Sequence, residues 1–246
     1  MEITKKNLLI LFGEYRTFET IYPHLSGDLD KFEIMLPTWN QSVEWYDGGT
    51  RTKTIKVTED KILEKNIIPI INNISSKFLS NTANMIYHWR AAINSITLDK
   101  ISQYDNVILH RCDMVSDVLR LDLSKIQPGI LYCEPGHMDD EAGFWMNDYF
   151  FVSKFDLMKS FINTIKLAEY PYPHFPLGNS ILKNKISYCH LNQLCLPKFQ
   201  PRYRIIRPQD HELVNLLQNL SENNIKIFDI ATDSKFYKKF VQLIQQ

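Results

Sequence analysis

Short unbroken apolar runs alternate with longer amphipathic stretches along this chain. Residues 8–12 carry no polar position, the signature of a strand buried on both faces. Residues 32–36 predict a second strand, ended by Pro37, and 54–57 a short third. Residues 107–109, 129–133 and 149–152 continue the series, and 186–188 and 203–206 complete it. The clearest helix covers 84–96, where Ile86, Trp89, Ile93 and Ile96 fall on one face. Further helices are expected over 153–165, with Ser153 as N-cap, and over 177–184, 211–220 and 234–244. Residues 17–25 suggest a short helix or turn, and Pro69 divides 59–79 into two short helices. Polar, glycine-bearing residues 40–51 read as a loop, with Trp39 and Trp45 on it, and the proline-rich 170–176 as a rigid one.

Strand–helix alternation of this kind predicts a three-layer α/β/α domain with a mostly parallel central sheet. No repeat or linker interrupts it. Residues 1–197 are expected to form the main domain, with 198–246 a C-terminal extension packed on it.

Charge narrows the function. The 28 basic and 28 acidic side chains cancel, where a dedicated nucleic-acid binder would show a basic excess. No apolar run is long enough to span a membrane. The apolar stretch after Lys5 and Lys6 is too short for a signal peptide and leads into Gly13-Glu14-Tyr15-Arg16, so a cytoplasmic protein is expected. Cys112, Cys133, Cys189 and Cys195 form no C-x-x-C pair and read as free thiols.

Five places carry candidate chemistry. Gly13-Glu14-Tyr15-Arg16-Thr17 follows the first strand; a glycine there admits close backbone approach, and Arg16 can fork onto a phosphate or a base edge. It is not the G-x-G-x-x-G of a dinucleotide site. Arg111-Cys112-Asp113 ends a buried strand, the place where open α/β sheets build ligand sites. One carboxylate there suffices for Mg²⁺ or Mn²⁺ when substrate phosphates supply the other ligands. Asp117, just beyond, is expected to be a structural partner. Asp139, Asp140 and Glu141 form an acidic run, the ordinary fate of which is solvation. Asp148 sits among aromatic residues, where partial burial suits a carboxylate to general-base work. His190, at another strand end, can complete a metal shell or meet a phosphate. Last comes a basic tail, Lys198, Arg202, Arg204 and Arg207, interleaved with Phe199 and Tyr203. A solvated strand face is its simpler account, and phosphate or an acidic partner its functional one.

Taken together these landmarks resemble a GT-A type glycosyltransferase, and most of all the small polysaccharide-type transferases of bacteria and large DNA viruses. Their G-x-x-R-T after an apolar strand is matched by Gly13, Arg16 and Thr17. Their strand ending in R-x-D is matched by Arg111 and Asp113, and their N-D-x-F element by Asn147, Asp148 and Phe150, then Ser153 and a helix. The likeness spans residues 7–190. Arg111 stands where the D-x-D pattern has its first acid, and residues 175–178 offer no acid where the pattern has P-E.

The resemblance implies a UDP-, GDP- or dTDP-linked sugar donor, a divalent cation (Mn²⁺ or Mg²⁺) and a glycan hydroxyl as acceptor. Gly13, Arg16, Thr17, Arg111 and Asp113 would bind the donor, Asp113 with His190 would hold the metal, and Asp148 would lie by the acceptor as base. Trp45, Trp145, Tyr170 and Tyr172 are candidate sugar-stacking walls. Asp113→Asn is then expected to abolish transfer and leave the fold intact. A nucleotide- or glycan-binding scaffold without activity, and a phosphoester hydrolase built on Asp139, Asp140 and Glu141, are the competing expectations.

Overall fold

The structure, a computed structural model, describes residues 6–25, 29–47, 50–74, 81–139, 143–166, 174–195, 202–207 and 209–244. In chain order its strands are β1 (Lys6–Phe12), β2 (Phe32–Trp39), β3 (Gln41–Asp47), β4 (Thr50–Lys56), β5 (Ile68–Asn72), β6 (Tyr104–Arg111), β7 (Met114–Ser116), β8 (Ile130–Asp139), β9 (Gly143–Lys154), β10 (Ser187–His190) and β11 (Tyr203–Ile205). Its α-helices are α1 (Phe18–Ile21), α2 (Glu59–Leu63), α3 (Asn81–Ser95), α4 (Leu98–Ile101), α5 (Phe155–Thr164), α6 (His174–Lys183), α7 (His211–Glu222) and α8 (Lys235–Ile244).

Seven strands form one mixed, mostly parallel sheet in the order β10-β8-β9-β6-β1-β2-β5. Only β9 runs against the rest, pairing antiparallel with both β6 and β8. The alternation of side chains along β1 divides the core in two. Leu8, Ile10 and Phe12 join Trp89 and Ile93 of α3 and Phe161 of α5 on one face. Leu9 and Leu11 join Leu213, Leu216, Leu217 and Leu220 of α7 and Phe240 of α8 on the other. Both faces of the sheet are covered, which is why β1 and the middle of β6 need no polar alternation. No helix among the described residues is long and apolar enough to cross a membrane.

Several elements differ from expectation. Residues 41–47 and 50–56 pair as β3 and β4, a separate two-stranded sheet, where a loop was expected. The polar composition hid a hairpin signal in the sequence, Gly48-Gly49 between segments bearing Val43, Tyr46, Thr52 and Thr54. Pro37 lies inside β2 and does not end it: it falls past Met35, the last β2 residue paired with β1, and faces only β5. Pro69 starts no helix either. It lies in β5, the edge strand, where a missing N–H is tolerated. Ser153 belongs to β9, and Lys154 takes the N-cap position of α5 with no side-chain cap bond.

Candidate functional site

The chain leaves β1 toward β2 and β5 on one side, then returns to β6 on the other. The crevice between β1 and β6 at their carboxyl ends is therefore a topological switch point, where open α/β sheets receive ligands. The pairing Phe12↔Arg111 brings the two strand ends level. The register His110↔Phe150 carries Asp148 of β9 to the same edge.

Gly13 turns the chain there with φ +129°, a conformation other residues avoid, and a Cβ on it would come within 3.2 Å of the Cys112 sulfur. The following 3-10 turn, Tyr15–Thr17, sends Arg16 back across the crevice. Arg16 Nη2 donates to Asp113 Oδ2. Arg111 grips the same carboxylate with two parallel bonds, Nε to Oδ1 and Nη2 to Oδ2, each 2.9 Å. Its remaining nitrogen, Nη1, donates to Asp148 Oδ2 at 2.9 Å. Two guanidiniums and two carboxylates, from the ends of β1 and β6 and from within β9, thus form one network. Both aspartates are buried, while the arginine side chains keep 18% and 22% of their surface, enough to meet a ligand.

Burial pushes the Asp113 carboxyl up, but the charges of Arg111 and Arg16 outweigh it and hold the group well below the usual carboxylate range. Burial, reinforced by Asp113, pushes the Cys112 thiol well above its ordinary value, so this cysteine is no nucleophile. Behind the network His110 is fully enclosed. Its Nδ1 lies 2.7 Å from the Arg111 carbonyl and so carries the proton, and Nε2 accepts from Ser116 Oγ at 2.6 Å. Burial lowers His110 to about 4.

The structure brings Gly13, Arg16, Thr17, Arg111, Asp113 and Asp148 together. It does not bring His190 to them. That residue ends β10, three strands from β6, about 14 Å at ordinary strand spacing. Its Nδ1 accepts from the Asn192 backbone and starts a 3-10 turn. Asp117 is a structural partner, accepting from the backbone N and the Nε of Arg202 at 2.6 and 2.7 Å. Trp39 is buried in β2, stacked on Tyr87, and Trp145 packs on the His174 ring. Asp140, Glu141, Tyr170, Tyr172, Lys198 and Phe199 lie outside the described residues.

A resident divalent cation does not fit the network as it stands. Both oxygens of Asp113 already accept from arginine, and a cation would enter beside two guanidiniums. Among the described residues no group of three or more His, Cys, Asp and Glu side chains is disposed to hold a metal.

Residue-by-residue reading missed the neighbouring cavity of about 430 Å³, lined by Tyr149, Tyr203, Arg204, Arg207 and Asp210 among others. Its only sequence signal was the basic, aromatic-interleaved tail, and nothing local placed that tail beside β9. Compared with known proteins, the chain matches no protein-family model, and a search of curated proteins returns no match.

Proposed function

We propose that this chain is a glycosyltransferase with a GT-A-like sheet, moving a sugar from a nucleotide-sugar donor to a glycan hydroxyl. The observation that supports it best is the convergence of Arg16, Asp113, Arg111 and Asp148 at the carboxyl-end switch point of a mostly parallel sheet. The donor, UDP-, GDP- or dTDP-linked, lies across the β1 and β6 ends, with the Gly13–Thr17 turn and Arg16 toward the nucleotide. Among the described residues Arg16 Nε has no partner, so Asp113 does not use all of this guanidinium's donors.

In the inverting form of the reaction the bond from the sugar's anomeric carbon to the diphosphate breaks, and its electron pair leaves with the diphosphate. The acceptor oxygen bonds to that carbon, and its proton passes to the Asp148 carboxylate. Arg111 holds that carboxylate in place through its 2.9 Å bond. Mn²⁺ or Mg²⁺ has no resident place in this scheme, and no step depends on one. The reading as a binding scaffold draws on one observation: the four charged groups neutralise each other, as a purely structural cluster would.

Release of nucleoside diphosphate in the presence of simple glycans separates the two. Asp148→Asn is expected to lower turnover roughly 10²–10⁴-fold, the usual worth of a general base, with donor affinity retained. A variant as active as the parent removes Asp148 from the mechanism, and a parent that turns over no donor leaves the scaffold.

A further inference from the structure

The charges of the switch-point network are spent on one another, so the negative charge of a donor diphosphate needs another counterweight. The cavity beside the network supplies it. Ile206 joins the two: its N–H donates to the Asp113 carbonyl at 2.7 Å, and its carbonyl accepts from Thr17 Oγ1 at 3.0 Å. On either side of Ile206 in sequence, Arg204 and Arg207 line the cavity, facing Tyr149, the residue after Asp148.

We propose that this cavity is the diphosphate subsite, in which Arg204 and Arg207 take the phosphate oxygens and do the neutralising that the sequence resemblance assigns to a metal. The inference rests on the nucleotide-sugar reading above. Among the described residues neither arginine side chain has a carboxylate partner, in contrast to Arg16, Arg111 and Arg202. Arg204 Nε is buried with no hydrogen-bond partner among the described residues, so the protein itself leaves part of this guanidinium's bonding capacity unused. The opposing charge in the lining is Asp210, whose carboxylate accepts from the Arg207 backbone N–H at 2.8 Å and leaves that guanidinium unengaged. The cavity also reaches the start of α7, where a helix carries positive partial charge.

The rest of the lining suits what adjoins a diphosphate. The Tyr149 and Tyr203 rings lie 5.3 Å apart, tilted, as an aromatic wall against which a sugar or base can pack. Burial and the hydrogen bond to Glu134 push the Tyr203 phenol up, so it brings no charge of its own. A volume of about 430 Å³ holds a diphosphate and part of what it links. Arginine is suited to the task because its planar fork meets two phosphate oxygens at once. As the sugar–oxygen bond breaks, charge grows on the oxygens these forks hold, which favours the transition state over the bound donor.

The test is calorimetric binding of inorganic pyrophosphate and of UDP, GDP and dTDP to the full chain in metal-free buffer, with glucose 1-phosphate as a monoester control. It uses the parent, Arg204→Gln, Arg207→Gln and Arg204→Lys, each checked for an unchanged melting temperature. We expect each Gln variant to weaken pyrophosphate and one nucleoside diphosphate by about tenfold or more, the loss that goes with one charge-assisted contact, and Arg204→Lys to recover part of it. Equal nucleoside diphosphate binding by all variants overturns the subsite and leaves the transferase reading standing. Binding that appears only with Mn²⁺ overturns the role of the arginines. Preferential binding of glucose 1-phosphate, lost in the same variants, overturns the diphosphate assignment in favour of a phosphorylated acceptor. Pyrophosphate bound through both arginines with no preference for any nucleoside diphosphate upholds the anion pocket and overturns the nucleotide-sugar reading. No binding to the parent overturns both.

Discussion

Removing the Asp113 charge leaves the Arg16 and Arg111 guanidiniums crowded together with no carboxylate between them. Breaking a buried ion pair by deleting one partner costs about 3–5 kcal/mol. The low end applies here, because both guanidiniums keep an edge toward solvent. Asp113→Asn is therefore expected to lose about 3 kcal/mol in urea unfolding. A midpoint equal to that of the parent would show that the network contributes little. The same unfolding curve tests the expectation from the sequence that this variant keeps its fold, and loss of its activity counts toward a catalytic role only where the variant is folded under the assay conditions.

His110 makes stability depend on pH in a window of its own. Its folded value of about 4 lies below the ordinary 6.5 of an exposed histidine, so the unfolded chain binds the proton first as pH falls. Stability is full above about 6.5 and declines toward 4, with a loss of about 2 kcal/mol at pH 5. His24, also buried and lowered, acts in the same direction. Asp113 is held low and adds its own loss only below the carboxylate range. Urea midpoints at pH 7 and pH 5 measure the effect, and coincident midpoints would mean that His110 is not held neutral.

Elements were legible where one physical requirement dominated. β1 has to be apolar throughout because both of its faces are covered, and α3 has to show a stripe because only one of its faces meets the sheet. Legibility failed where the third dimension decides. The tolerance of Pro37 depends on which neighbour β2 still has at that point, and that of Pro69 on β5 being the edge. The β3–β4 hairpin pairs with itself, outside the main sheet, so its strands carry no apolar run. The Arg16, Arg111, Asp113 and Asp148 cluster was readable as strand-end chemistry. Its internal pairing was not, because Arg16 and Asp113 are brought together across 97 positions of sequence. His190 carried the same strand-end signal as Asp113 and lies at the far side of the sheet.

At the scale of the whole molecule, the C-terminal segment serves the core and the cavity at once. Leu213, Leu216, Leu217 and Leu220 of α7 share a core with Leu9 and Leu11 of β1. Arg202, bound to Asp117 and seated over the Phe228 and Tyr237 rings at 4.7 and 5.6 Å, fixes the point where β11 joins β7. The same stretch then delivers Arg204 and Arg207 to the edge of the switch point. Everything functional in this account rests on a nucleotide-sugar occupying that edge. Titrating the parent protein calorimetrically with UDP-, GDP- and dTDP-linked sugars, with and without Mn²⁺, tests it most directly. Saturable one-to-one binding of one base class that persists without Mn²⁺ is expected, and binding of none of the three under either condition would contradict the nucleotide-sugar assignment.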